Sequence, residues 1–122
     1  MRLTFYFAEH SLFLEFYIYL SDYTANQNRV EIAELDSAMN VCDRYATLSL
    51  CLPDRMQREN EIFVKAYSEN IPVIEEIRKQ NYFGLFENTG ETFSIGNFSS
   101  AIVEVWKLTP LALKHAKRRV SS

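Results

Sequence analysis

Leu12-Phe13-Leu14-Glu15-Phe16-Tyr17-Ile18-Tyr19-Leu20 alternates without a break. Leu12, Leu14, Phe16, Ile18 and Leu20 share one face, and Phe13, Glu15, Tyr17 and Tyr19 share the other. A period of two marks a β-strand, because successive side chains leave a pleated backbone on opposite sides. The aliphatic face belongs in a core. The Tyr-rich face is amphipathic and suits a half-wet surface or contact with a partner. With Glu15 in its middle, this run is too short and too polar to span a bilayer.

Upstream, Met1 to Ala8 reads as a second strand, with Leu3, Phe5 and Phe7 on one face, and His10-Ser11 turns the chain. Downstream, Ser21 to Asn28 is a polar, Asn-rich loop and Val30 to Leu35 a short strand. Ser37 to Asp43 reads as a polar connection. Tyr45 to Leu52 alternates again, with Ala46, Leu48, Leu50 and Leu52 opposed to Tyr45, Thr47, Ser49 and Cys51, and Pro53 ends it because proline cannot donate to a ladder. Asp54 to Asn60 is charged and exposed. Glu61 to Tyr67 is a further strand, with Ile62, Val64 and Ala66 on one side.

The best helix runs from Ile71 to Tyr82. Asn70 is placed to cap it, and Pro72 sits in the first turn, where a missing N–H does no harm. Val73, Ile74 and Ile77 form its apolar stripe, and Glu75 reaches Lys79 at i,i+4. Asn88-Thr89-Gly90 and Gly96-Asn97 read as turns on either side of a short strand from Thr92 to Ile95. Ala101 to Leu108 is the last strand. Thr109 and Pro110 then open a short basic helix to about Arg119. The sum is an α+β fold: a mostly antiparallel sheet of about five to seven strands, one principal helix packed on one face, and a short C-terminal helix. Residues 1–109 make a single domain and residues 110–122 a basic helix or tail.

Charge is unevenly spread. Up to Trp106 there are 8 Lys and Arg against 16 acids, a net −8, whereas Lys107 to Ser122 holds five bases and no acid. An acidic body repels a phosphate backbone and attracts basic protein surfaces. Nucleic acid therefore enters only through the tail, at Lys114, Lys117, Arg118 and Arg119, which equally suit contact with the body itself. Cys42 and Cys51 lack metal-knuckle spacing, and two thiols without a secretory signal point to a reducing cytosol.

Chemistry is scarce. His10 and His115 are the only histidines, no nucleophile elbow or phosphate-binding glycine loop is present, and no cofactor is expected. Glu31 and Glu34 are the nearest thing to an acid/base pair, but they fall on opposite strand faces. Tyr beside acid describes a protein-binding surface better. The candidate partner-binding residues are Glu15, Tyr17, Tyr19, Asp22, Tyr23, Glu31 and Glu34.

Tyr45-Ala46-Thr47-Leu48-Ser49-Leu50-Cys51-Leu52-Pro53, then Glu61-Ile62-Phe63-Val64-Lys65-Ala66-Tyr67-Ser68-Glu69-Asn70 before a short helix, then Glu87-Asn88-Thr89-Gly90, resembles a small family of phage and mobile-element proteins, of the domain of unknown function 4313 type, and Tyr23 to Asp36 is similar to that family's Tyr- and Asn-containing hairpin. That family's pattern is a Y-A-T-L-T-V-N-L-P strand, a V-K-x-Y-S-E-N segment and a T-G turn. This chain departs from it at Ser49 and Cys51, in its aromatic N-terminal strands and in its basic tail. The resemblance implies a mobile-element source and carries no catalytic residues. The expected function is a non-catalytic inhibitor of a bacterial defence system, anti-CRISPR-like, acting in the host cytosol on a protein with a basic surface. The alternative is an immunity protein or antitoxin that neutralises a nuclease toxin. Exposed edge strands and the Tyr-bearing face also favour a symmetric homodimer. No membrane partner is expected.

Overall fold

Alternating apolar residues make the central strands of the first sheet, because one face of each is buried against the main core. A computed structural model of the chain describes residues 3–23, 25–96 and 101–118. The strands are β1 (Thr4–Phe7), β2 (Leu12–Leu20), β3 (Arg29–Leu35), β4 (Val41–Thr47), β5 (Glu61–Lys65), β6 (Phe86–Ser94), β7 (Ile102–Leu108) and β8 (Lys117–Arg118). The helices are α1 (Ile71–Lys79) and α2 (Pro110–His115). The first sheet runs β1-β2-β3-β4 with every pair antiparallel, and β8 adds to β2 in parallel. The second runs β5-β7-β6, also antiparallel. The fold is α+β, as the alternation predicts.

The main core lies between the inner faces of the two sheets, closed by α1 and α2. Leu14, Phe16 and Ile18 from β2, Val30 and Ile32 from β3, Ile62 and Val64 from β5, and Trp106 and Leu108 from β7 meet Val73, Ile74 and Ile77 of α1. Burying an aliphatic or aromatic side chain of this size is worth about 1.5–3 kcal/mol. The outer face of the second sheet is covered as well: Leu50, Leu52 and Tyr67 pack on Phe63, Val103 and Val105.

Several local expectations change. The strand expected at Tyr45–Leu52 begins at Val41 and leaves its ladder at Thr47. Beyond it the chain crosses between sheets: Leu48 donates its N–H to Val30 O at 3.0 Å and accepts from Lys65 N at 2.9 Å. Ser49 then bridges to Val64, and Leu50 N bonds Phe63 O at 2.9 Å. Leu48 accordingly joins the main core, whereas Leu50 and Leu52 join the second cluster.

Asn70 does not cap α1. It sits in the right-handed helical region, and its side-chain amide donates to Thr47 O at 2.9 Å. The helix ends at Lys79, not Tyr82, because Asn81 to Gly84 all take positive φ. That left-handed turn places Tyr82 edge-on to Trp106 and Phe83 against Phe5, with ring centroids 5.0 and 4.5 Å apart. Asn88-Thr89-Gly90 is a bulge inside β6, not a turn before it. There Thr89 Oγ1 donates to Val105 O at 2.7 Å, replacing a ladder bond. Thr109 does cap α2, accepting from Ala112 N at 3.3 Å. The C-terminal helix stops at His115, and the chain turns extended into β8. In the turn expected at Gly96-Asn97, Asn97 lies outside the described residues.

Candidate functional site

The strand registers set the outward side chains of the first sheet in rows that cross it. Tyr6, Phe13, Leu35 and Val41 are cross-strand partners in the first row. Thr4, Glu15, Ala33 and Arg44 form the second, and Tyr17, Glu31 and Thr47 the third. Lys117, Tyr19 and Arg29 form the fourth. Same-face neighbours along a strand are about 7 Å apart, so about 20 Å separates the first row from the fourth.

The inner rows are knitted together. The Tyr17 hydroxyl donates to Glu15, whose side chain is buried on this face although the strand period points it outward. A carboxylate that deep persists only when it is hydrogen-bonded. Glu31 lies between two guanidiniums, with Arg29 Nη1 at 3.0 Å and Arg44 Nε at 3.5 Å, and Thr47 Oγ1 donates to it at 2.8 Å. Arg29 also reaches Asp22 at 2.5 Å and lies 4.4 Å over the Tyr19 ring. Lys117 sits 5.6 Å from the Tyr17 ring centroid. Asp22, Arg29, Glu31 and Arg44 thus alternate in sign, so four of the seven candidate residues lie in a lattice of paired or ring-stacked charge: Tyr17, Tyr19, Asp22 and Glu31. Single half-exposed ion pairs of this kind are worth about 0–1 kcal/mol. Their effect here is to hold long side chains in one geometry.

Tyr23 stands apart from the rows. Its hydroxyl lies 3.0 Å from Ser49 Oγ, which in turn accepts from Val30 N at 2.8 Å. Burial pushes its phenol above the ordinary value, against the Ser49 hydrogen bond that lowers it. Tyr23 braces the crossover between the sheets. Glu34 leaves the sheet on the opposite face from Glu31, as the strand period predicts, and its cross-strand partner is Asp43. In the tail, Lys114 and Lys117 are exposed. Arg119 and the side chain of Arg118 lie outside the described residues.

At the far end of the same sheet the first row is open. Tyr6 is 48%, Phe13 41% and Val41 51% exposed, and the Tyr6 and Phe13 rings touch at 5.1 Å. Of these, Phe13 is legible in the sequence as part of the outward face of β2. Val41 is not, because its polar neighbours hide the start of an edge strand. Arg29 and Arg44 could have been found from their alternation with Asp22 and Glu31.

A cleft of about 280 Å3 opens where β2 meets the C-terminal segment, lined by Leu3, Glu15, Tyr17, His115 and Lys117. His115 Nε2 is buried there without a hydrogen-bond partner among the described residues. Among those residues no group of three or more His, Cys, Asp or Glu is placed to hold a metal ion. No helix among them is long and apolar enough to cross a membrane. No protein-family model, curated protein or solved structure matches the chain.

Proposed function

We propose that this chain is a non-catalytic protein-binding module of phage or mobile-element origin, which inhibits a bacterial defence protein by occupying it with the outer face of the first sheet. One observation carries the reading: Tyr6, Phe13 and Val41 lie exposed in a single cross-strand row beside a braced lattice of charge. Protein interfaces pair an apolar, aromatic centre with a polar rim, and side chains already held in place lose little entropy on binding. On the outer face of the second sheet, Phe63, Val103 and Val105 are buried under Leu50, Leu52 and Tyr67. The mobile-element origin is supported by the resemblance carried by Tyr45 to Pro53, Glu61 to Asn70 and Glu87 to Gly90.

The test is phage plating on bacteria that carry a characterised defence system, with and without this protein. Expression of the native chain raises plating on at least one such host. The Phe13→Ser, Val41→Ser double variant, accumulated to the same soluble level, does not. Equal protection by native and variant proteins removes the face from the mechanism, and no effect on CRISPR-defended hosts removes the anti-CRISPR reading.

A further inference from the structure

Met56 stands 94% exposed on the loop that follows Pro53, the most open large apolar side chain among the described residues. That loop is held in place. The buried Gln27 amide donates to Leu52 O at 2.8 Å and to Arg55 O at 2.9 Å, and its Oε1 accepts from Leu52 N at 2.8 Å. On the other side of Met56, Gln57 Oε1 accepts from Asn28 N at 2.9 Å. The Arg55 guanidinium lies 3.6 Å over the Phe93 ring. Both neighbours of Met56 are therefore fixed, so its side chain is presented to a partner with little further loss of entropy.

Beside Met56 an open groove of about 620 Å3 runs over the outer face of the second sheet. Phe63 of β5, Phe93 of β6 and Val105 of β7 floor it, with the two rings edge to face at 5.9 Å. Its rim carries both signs of charge, Asp54 and Glu91 against Arg55 and Arg58. Arg58 pairs with Glu61 and Glu91, whereas Asp54 and Arg55 form no ion pair among the described residues. An apolar knob, an apolar groove and unpaired charges of both signs thus share one surface. A two-fold interface has this requirement, because each patch must complement itself.

We infer that this face pairs with a second copy of the chain. Met56 of each copy enters the groove of the other, where its unbranched, polarisable side chain follows an irregular floor. Arg55 of each copy meets Asp54 and Glu91 of the other. The pairing is independent of the protein-binding reading above. It leaves the Tyr6, Phe13 and Val41 row free on both copies, since that row lies on the outer face of the other sheet.

Sedimentation equilibrium of the full chain tests it. The native mass rises from 14.3 kDa toward twice that, and no further, as concentration approaches about 1 mM. Met56→Lys weakens the dimer about tenfold or more and leaves the urea midpoint unchanged. Phe13→Ser, Val41→Ser leaves the dimer intact. Arg55→Glu alone and Asp54→Arg, Glu91→Arg alone each pair poorly, but the two mixed together form a dimer, which variants that merely fail to fold do not do. A monomer at about 1 mM, growth beyond two copies, native-like pairing by Met56→Lys, loss of the dimer in Phe13→Ser, Val41→Ser, or a charge-variant mixture that stays monomeric would each overturn the inference. The plating assay reads the opposite face, so either reading can fail while the other stands.

Discussion

Asn70, buried immediately before α1, donates its side-chain amide to Thr47 O at the end of β4. An N-cap would tolerate aspartate as well as asparagine, but a buried donor would not. Asn70→Asp therefore destabilises the fold by about 1–3 kcal/mol, the cost of an unmatched buried polar group, read as a lower urea midpoint. One position earlier, Glu69 bonds Lys65 at 2.5 Å, and that contact, with Ser68, holds its carboxyl down to about 2. Because its folded value is depressed, the contact favours the folded state above the unfolded value of about 4.3 and is lost as pH falls toward 2. Carboxyl NMR should place the Glu69 midpoint near 2, and Lys65→Met should return it to the usual range. Phe83 pays for its left-handed backbone through its rings. Phe83→Ala keeps that conformation and removes a half-buried ring from Phe5 and Phe16, at a cost of about 1.5–3 kcal/mol.

Among elements, β2 and β3 are legible because each carries a two-residue period, and β5 and β7 because each is a short apolar run, buried on both faces, that is rich in strand-forming residues. β4 is half legible. Val41 to Arg44 is an exposed edge with charges and two register shifts, so its start lacks the apolar alternation that marks a strand. The alternation from Tyr45 to Leu52 is real, but its aliphatic residues serve two cores, and no local pattern reveals a change of sheet. In β6, glycine beside Asn88 has the composition of a turn. The structure uses it for a bulge, where Gly90 has φ +85 and open space around it. Gly90→Ala should lower stability by about 1 kcal/mol, through backbone strain alone. α1 ends early because the Trp106 and Phe5 rings capture Tyr82 and Phe83, a long-range effect that helix propensity does not contain. Of the candidate site, the outward Tyr and acid residues of β2 and β3 could be read from the chain. The cations that pair with them, and the open row beside them, depend on register.

Over the whole molecule, a body of net −8 folds with much of one sheet face locally neutral. Arg29 and Arg44 stand where the acids of this face would otherwise crowd, and they pair with Asp22 and Glu31. Trp106, the single tryptophan, is fully buried between the sheets and reports their contact. Its fluorescence and the far-ultraviolet circular dichroism should follow one coincident urea transition. Separate midpoints would mean that the sheets melt apart. The peptide units around Leu48 argue against that, since one residue is fastened to Val30 on one side and to Lys65 on the other. A rivet through two plates cannot loosen in one of them. The amide protons of Leu48 and Lys65 should therefore exchange with deuterated solvent at one shared, slowest rate, released only when the entire chain lets go.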